Sequence, residues 1–524
     1  MTTDALDDHL AGQERTELPE TCSDAAAQRG LAGLRDWLTA RALFVVAVCA
    51  VIIISLLGIP THLAQDGWLA LIAGRLVASH GVPTHDYFAW MTYGQRWVDQ
   101  QWLAQWVMFE LVRLGGLQLM TVFYVLVTGV AFGGAVAAGR SLGGEDLDVL
   151  KITLPGVFFY LVTAVSIRTQ GFAYPLFVAT LWLLASDWRS RERGQRVYLV
   201  LPILVLWGNL HGSATMGAGL GGLYGLLLLA RGLRDRGLAA LRDARAWAFV
   251  LISPLTLLAT PYGMGMVHYY RVTLLNPQFS RLVTEWKPIT TVPILAVPLF
   301  VMIAGAILAV LVTVVRARSS AAAAPPLYDV LVLLILAAGA VIAVRNVTWF
   351  GLALVILLPH VVTQMRAGRA APLRRSRRNF LAAGATLVLC GLVTLVVLMR
   401  TSGWFTSTYP RRAITTLSTL IAQDPHAKIL ADVRYADWLI WERPALFSGR
   451  VAYDTSFELL SKRQLEAIGD LAANTRNART TVASYPIWML YPGNRAVNRK
   501  LLRRPGARLI SKSRKVIIAT YHMS

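Results

Sequence analysis

The sequence predicts a predominantly α-helical, polytopic membrane protein of about 11 transmembrane helices, with a small C-terminal α/β domain outside the membrane. Three observations carry this. Of 524 residues, 55% are hydrophobic and 15% charged, with a mean hydropathy of +0.51, a balance that ordinary soluble domains do not show. Eleven apolar runs are long enough to be considered as spans, since a crossing helix needs roughly 20 residues and about 17 suffice. Beyond residue 400 the apolar character falls away, and strand-like stretches at 428–431 and 515–520 flank a helical pattern at 461–473.

The runs lie near 42–59, 118–138, 152–167, 171–187, 197–210, 213–230, 246–260, 292–315, 328–344, 347–363 and 380–399. The first begins behind a polar tail too long for a cleavable signal and is expected to remain as a signal anchor. Short connections rich in Arg set the orientation. Arg189, Arg191, Arg193 and Arg196 form one such cluster. Arg231, Arg234, Arg236, Arg242 and Arg245 form a second, and Arg366, Arg369, Arg374, Arg375, Arg377 and Arg378 a third. All three are expected in the cytoplasm, with the tail bearing Arg15, Arg29, Arg35 and Arg41. Starting inside at Arg41 and returning inside at Arg189 requires an even number of crossings. Residues 101–116 are therefore read as an amphipathic helix in the interface, with Trp102, Trp106 and Phe109 on one face.

The domain plan follows: a cytoplasmic tail (1–40), a transmembrane domain (41–399) with an outer loop at 60–117, and an extracytoplasmic domain (400–524). The Ala/Pro stretch 321–326 is read as a cytoplasmic linker. The net charge of +22 is spent largely on orientation, so no nucleic-acid partner is expected. Three cysteines, Cys22, Cys49 and Cys390, offer neither a disulfide framework nor metal spacing.

In this topology several polar groups share the outer side. Asp66 and Asp86 lie in the first outer loop. Arg168 and Gln170, Asn209 and His211, and Arg345 and Asn346 lie at the turns of three short hairpins. Ionisable residues at such positions are costly unless paired or facing a polar cavity, so their recurrence points to one cavity. Arg168 and Arg345 suit phosphate oxygens, which guanidinium grips in a bidentate way. Asp66 or Asp86 suits proton removal from a hydroxyl, and His211 suits a second acid/base role or donation to phosphate. Structural readings stand beside these: arginines anchoring helix ends at headgroups, Asp66 capping a helix, Asp86 forming a turn, and His211 packing a hairpin. No cofactor is expected, although carboxylates beside a phosphate leave room for a divalent cation.

The stretches Asp66-Gly67-Trp68-Leu69-Ala70-Leu71-Ile72-Ala73-Gly74-Arg75, His80-Gly81-Val82-Pro83-Thr84-His85-Asp86-Tyr87-Phe88, Trp97-Val98 and Gln101-Trp102-Leu103 resemble a family of bacterial multi-pass proteins. These look like C-type (GT-C, dolichol-phosphate-mannose-like) glycosyltransferases. The resemblance continues in Trp207-Gly208-Asn209-Leu210-His211-Gly212, Arg345-Asn346-Val347-Thr348-Trp349-Phe350 and Tyr435-Ala436-Asp437-Trp438-Leu439-Ile440-Trp441. It implies interfacial helices in the first outer loop, a polyprenyl-phosphate-linked sugar as donor, and an acidic catalytic residue that corresponds to Asp66. The chain departs from the pattern at Ala70 and Ile72, where such proteins often carry His and a basic residue, and at Gly67, where related transferases carry a second acid. Either Asp86 supplies the second carboxylate or catalytic capacity is altered. The leading expectation is an inverting transferase acting on a cell-envelope acceptor. A non-catalytic lipid-binding or transport protein, or a structural envelope protein, are the alternatives.

Overall fold

A computed structural model describes residues 33–58, 63, 65–190, 194–276, 283–319, 323–366, 376–473 and 484–522. The expectations for Arg15, Cys22, Arg29, Arg191, Arg193, Ala321, Arg369, Arg374 and Arg375 fall outside those residues.

Every apolar run folds as helix. In chain order these are α1 (Ala42–Leu57), α2 (Gln65–His80, in the loop expected to lie outside), α3 (Trp102–Ser141), α4 (Asp146–Ala164), α5 (Ala173–Arg189) and α6 (Val200–Leu210). There follow α7 (Ala214–Arg236), the broken helix α8 (Ala244–Leu258), α9 (Gly265–Leu274), α10 (Pro293–Ser319), α11 (Leu327–Ile342), α12 (Val347–Met365) and α13 (Arg377–Leu398). Six helices among the described residues are long and apolar enough to cross a membrane alone, and α1 joined to the segment Gly33–Ala40, bent by 73°, makes a seventh. Eleven full-length spans are therefore not shown. Several expected spans, such as the 11-residue α6, fall well short of a bilayer's thickness.

The stretch 101–116, expected to lie in the interface, forms the first part of α3. Gly115 and Gly116 leave helical geometry, with φ +70° at Gly116, a value only glycine adopts without strain. The chain breaks there before the spanning part of α3 begins. Gly74 of α2 faces this first part so closely that a Cβ would collide with the Gln105 carbonyl, so the two loop helices lie backbone to backbone.

Helix α12 is the hub, with 78% of its most apolar window inside the protein, against 22% for α10 and 17% for α13. A helix apolar on all sides is buried when its neighbours surround it. One end of the bundle is clipped by ion pairs. Arg189 binds Asp329, Arg245 binds Asp187, and Arg366 binds Asp148 and, at 3.1 Å, Glu145. These arginines come from all three basic clusters, so those clusters share one end of the bundle.

The C-terminal segment holds α14 (Arg411–Gln423), β1 (Ile429–Ala431), α15 (Val433–Glu442), α16 (Lys462–Ala473), β2 (Ile487–Leu490), α17 (Arg495–Leu502), β3 (Ala507–Lys512) and β4 (Ile517–Tyr521). Its sheet runs β1-β2-β4-β3, with β1 parallel to β2 and the other pairs antiparallel. This segment does not stand apart from the membrane region. Tyr409 stacks on Trp438 and meets Trp68 of α2 edge-on, with ring centroids 5.1 and 5.5 Å away. Arg75 lies 4.1 Å over Trp441. Backbone bonds join the outer loop to the domain: Trp90 N donates to Val451 O at 2.7 Å and Gly449 N to Phe88 O at 2.8 Å. A shared apolar core and this ladder fix the domain on the loop.

Candidate active site

At the end of the bundle opposite the ion-pair clips, the turns α4–α5, α6–α7 and α11–α12 surround a cavity of about 560 Å³. Its floor is aromatic: Trp349 packs on Tyr174, Phe177 and Trp207 at centroid distances of 5.1, 5.2 and 5.9 Å. Five of the sequence-predicted residues line it together with Asn346: Asp66, Arg168, Gln170, His211 and Arg345. Asp86 and Asn209 do not.

Asp86 is fully buried inside its own loop, accepting from Phe88 N at 2.9 Å and from Thr92 Oγ1 at 2.5 Å. Burial raises its pKa against these bonds. Asn209 is equally committed: its amide donates to Val205 O and Ala259 O, both at 2.9 Å, and accepts from Trp102 Nε1 at 3.0 Å. It fastens α6 to the first turn of α3.

Asp66 stands in the first turn of α2 with its side chain 52% exposed, 3.6 Å from Arg168 Nη1. One turn on, Ala70 also lines the cavity while Ile72 is buried in the core. The wall beside Asp66 is thus small and apolar at Ala70.

The two arginines differ in how far their donors are committed. Arg168 Nη1 lies 2.6 and 2.7 Å from the two Glu285 oxygens, and its Nε and Nη2 donate to Ser166 Oγ at 3.3 and 3.1 Å. Burial works against its charge, but Asp66 and Glu285 outweigh that and raise its pKa. The Arg345 guanidinium carbon lies over Trp286, 4.4 Å from the ring centroid, and Arg345 makes no salt bridge among the described residues. A guanidinium held on an aromatic face keeps its in-plane donors available.

His211 is held as a neutral donor. Ser213 N donates to His211 Nδ1 at 3.1 Å, and Ser213 Oγ lies 2.8 Å from the same nitrogen while accepting from Trp207 Nε1 at 3.0 Å. Nδ1 is therefore the acceptor and Nε2 carries the proton. Burial first, then the charges of Arg345 and Arg168, push its pKa down to about 3. Gln170 is 3% exposed, and its Nε2 finds no acceptor among the described residues. Asn346 Nδ2 donates to Gly339 O at 3.0 Å, closing the end of α11.

Sequence reasoning missed Glu285, Tyr269, Tyr270, Trp286 and the C-terminal residues Thr455 and Glu458, all of which line the cavity. Glu285 had a signal, being the sole acidic residue between Tyr262 and Thr291. Glu458 had none, because only the docked domain brings it in. Burial chiefly lifts its pKa to about 7. No group of three metal-ligating side chains suited to an ion occurs among the described residues.

Fold and cavity together define a multi-pass helical membrane protein with a polar, arginine-bearing chamber at one end of its bundle. No family model and no curated protein matches the chain. Among solved structures it is similar to ArnT from Cupriavidus metallidurans bound to undecaprenyl phosphate, with 15% identity and a TM-score of 0.47 over 91% of this chain and 97% of that one. It is also similar to the apo form of that protein, with 14% identity and a TM-score of 0.49 over 94% and 98% of the two chains.

Proposed function

We propose that the protein is an inverting glycosyltransferase that moves a sugar from a polyprenyl-phosphate donor to a cell-envelope acceptor at the outer face of the membrane. The observation that carries this is the pairing, in one chamber, of an exposed carboxylate with an arginine that makes no salt bridge among the described residues. Arg345 on Trp286, the Nε2–H of His211 and the Gln170 Nε2, which finds no acceptor among the described residues, supply donors to the phosphate. An apolar crevice of about 170 Å³ between α10 and α11, lined by Ile303, Ile307, Leu334, Ala337 and Phe350, takes the prenyl chain.

Asp66 acts as the base. It takes the proton of the acceptor hydroxyl as that oxygen bonds to the anomeric carbon and the carbon–phosphate oxygen bond breaks. Polyprenyl phosphate leaves with the bonding pair and stays on Arg345. A single displacement needs one base and inverts the carbon. Arg168 holds Asp66 and Glu285 in place, so Glu285, rather than Asp86, is the second carboxylate of the chamber. In this reading the N-terminal tail is cytoplasmic and the C-terminal domain lies outside, which the gathering of the basic clusters at one end of the bundle supports.

The test is Asp66→Asn in the purified full chain, with a polyprenyl-phosphate sugar as donor. Transfer falls by about a thousandfold or more while binding of undecaprenyl phosphate persists; transfer at the wild-type rate removes Asp66 from this role.

A further inference from the structure

A second cavity of about 450 Å³ lies between the bundle and the C-terminal domain. It shares a wall with the first, because Asp66, Arg168, Glu285, Thr455 and Phe457 line both. The sheet explains its position. β1 and β2 are parallel neighbours, and beyond each the chain turns into a helix, α15 after β1 and α17 after β2. The crevice outside the carboxyl ends of parallel strands is where open α/β sheets take ligands. Here it opens directly onto Asp66.

Its polar edge mixes acceptors and donors. Asp432 accepts from Arg434 N and from Asn494 Nδ2, both at 3.1 Å, which leaves lone pairs on the carboxylate and on the Asn494 carbonyl. Arg434 lies 3.6 Å over the Tyr491 ring, holding its donors at the same edge. Gln65, Thr455 and Asn498 add further polar groups, while Leu471, Val497, Leu501 and Tyr453 supply an apolar part of the lining. A hydroxyl both donates and accepts, so neighbouring hydroxyls match an alternating set of this kind, and the C–H face of a sugar ring covers the apolar side. The charges here are already paired, Asp432 with Arg434 at 3.8 Å and Arg168 with Glu285 at 2.6 Å, which favours a neutral ligand over an ion, and a wholly apolar ligand would strip water from these polar groups without replacing its hydrogen bonds.

We propose that this cavity is the acceptor subsite and takes a neutral, hydroxyl-rich saccharide unit, presenting one hydroxyl to Asp66. This rests on reading the neighbouring chamber as the donor site. Saturation-transfer NMR on the full chain in detergent, with the methyl glycosides of glucose, galactose, mannose and arabinose as probes, tests it. Transfer to at least one glycoside is expected, reduced by about fivefold or more in Asp432→Asn and in Val497→Phe and kept in Arg345→Ala. Val497→Phe fills the apolar side and leaves every polar group in place, so a folding defect of Asp432→Asn does not decide the result. No transfer to any of the four, or undiminished transfer in both variants, overturns the proposal. Undecaprenyl phosphate binding is measured on the same samples. If the wild type does not bind it, the donor reading falls, while the glycoside result still decides whether this cavity takes a saccharide.

Discussion

Glu285, from the loop before α10, closes on Arg168, from the turn between α4 and α5, with both carboxylate oxygens within 2.7 Å of one guanidinium nitrogen. Segments more than a hundred residues apart in sequence are thereby locked across the mouth of the chamber, and Asp66 is held against the same nitrogen at 3.6 Å. Removing the Glu285 charge acts on both neighbours. Glu285→Gln releases Arg168 toward the donor phosphate and loosens Asp66. Undecaprenyl phosphate binds more tightly by about threefold to tenfold, ~0.7–1.4 kcal/mol, while turnover falls. Calorimetry and a transfer assay on the same preparation separate the two effects.

Arg345 owes its orientation to Trp286, 4.4 Å away. Arg345→Ala weakens undecaprenyl phosphate binding by ~1.5–3 kcal/mol, the range for hydrogen bonds to charged groups. Arg345→Lys recovers only part of this, because a point charge neither stacks on the ring nor forks to two oxygens. Equal affinity for both variants and the wild type returns Arg345 to a purely structural role.

His211, with its pKa near 3, contributes no ionisation to the pH–rate profile between about 5 and 8. His211→Gln keeps a donor and the profile's shape; His211→Phe removes the donor and lowers donor affinity. A folded pKa below the unfolded one also means that stability from this residue is present above the ordinary histidine value of 6.5 and is lost as pH falls toward 3.

The junction between the first outer loop and the C-terminal domain buries Asp99 and Asp437, whose pKa values rise to about 8, chiefly through burial, and Glu458, raised to about 7. Each folded pKa lies above its unfolded value, so the folded state holds protons that the unfolded state has lost. Stability therefore falls as pH rises from the ordinary carboxylate range toward 8, and levels beyond it. Thermal unfolding followed at pH 5 and pH 8 reads this, and Asp437→Asn flattens the slope. A melting temperature that climbs with pH contradicts it.

Gly116, at φ +70°, separates the first part of α3 from the long apolar part that follows. Gly116→Ala costs ~1–2 kcal/mol, because an L side chain is strained there. A thermal shift in detergent measures it, and an unchanged midpoint places the break elsewhere.

Much of the bundle was legible from local pattern. Each apolar run became a helix, since hydrophobic length is a property of contiguous residues, and the interruption at Gln101 to Glu110 marked a segment distinct from the span that follows. Two of the four strands, β1 and β4, also showed in their own residues, and α16 in its periodicity. The largely exposed β3 and the four-residue β2 did not. The hairpin-turn residues Arg168, Gln170, His211 and Arg345 do meet in one chamber, because alternating helices bring every second turn to the same end.

What the sequence by itself determined is the membrane class, the order of the helices and the set of polar turns at one end, all consequences of local hydropathy and short connections. Only the tertiary structure decided which carboxylates face those turns. Asp86, close to Asp66 in sequence, is consumed by its own loop, while Glu285 and Glu458 arrive from a distant loop and from a domain docked by aromatic packing on α2. Burial and charge pairing depend on neighbours far along the chain, and no local pattern of residues encodes them.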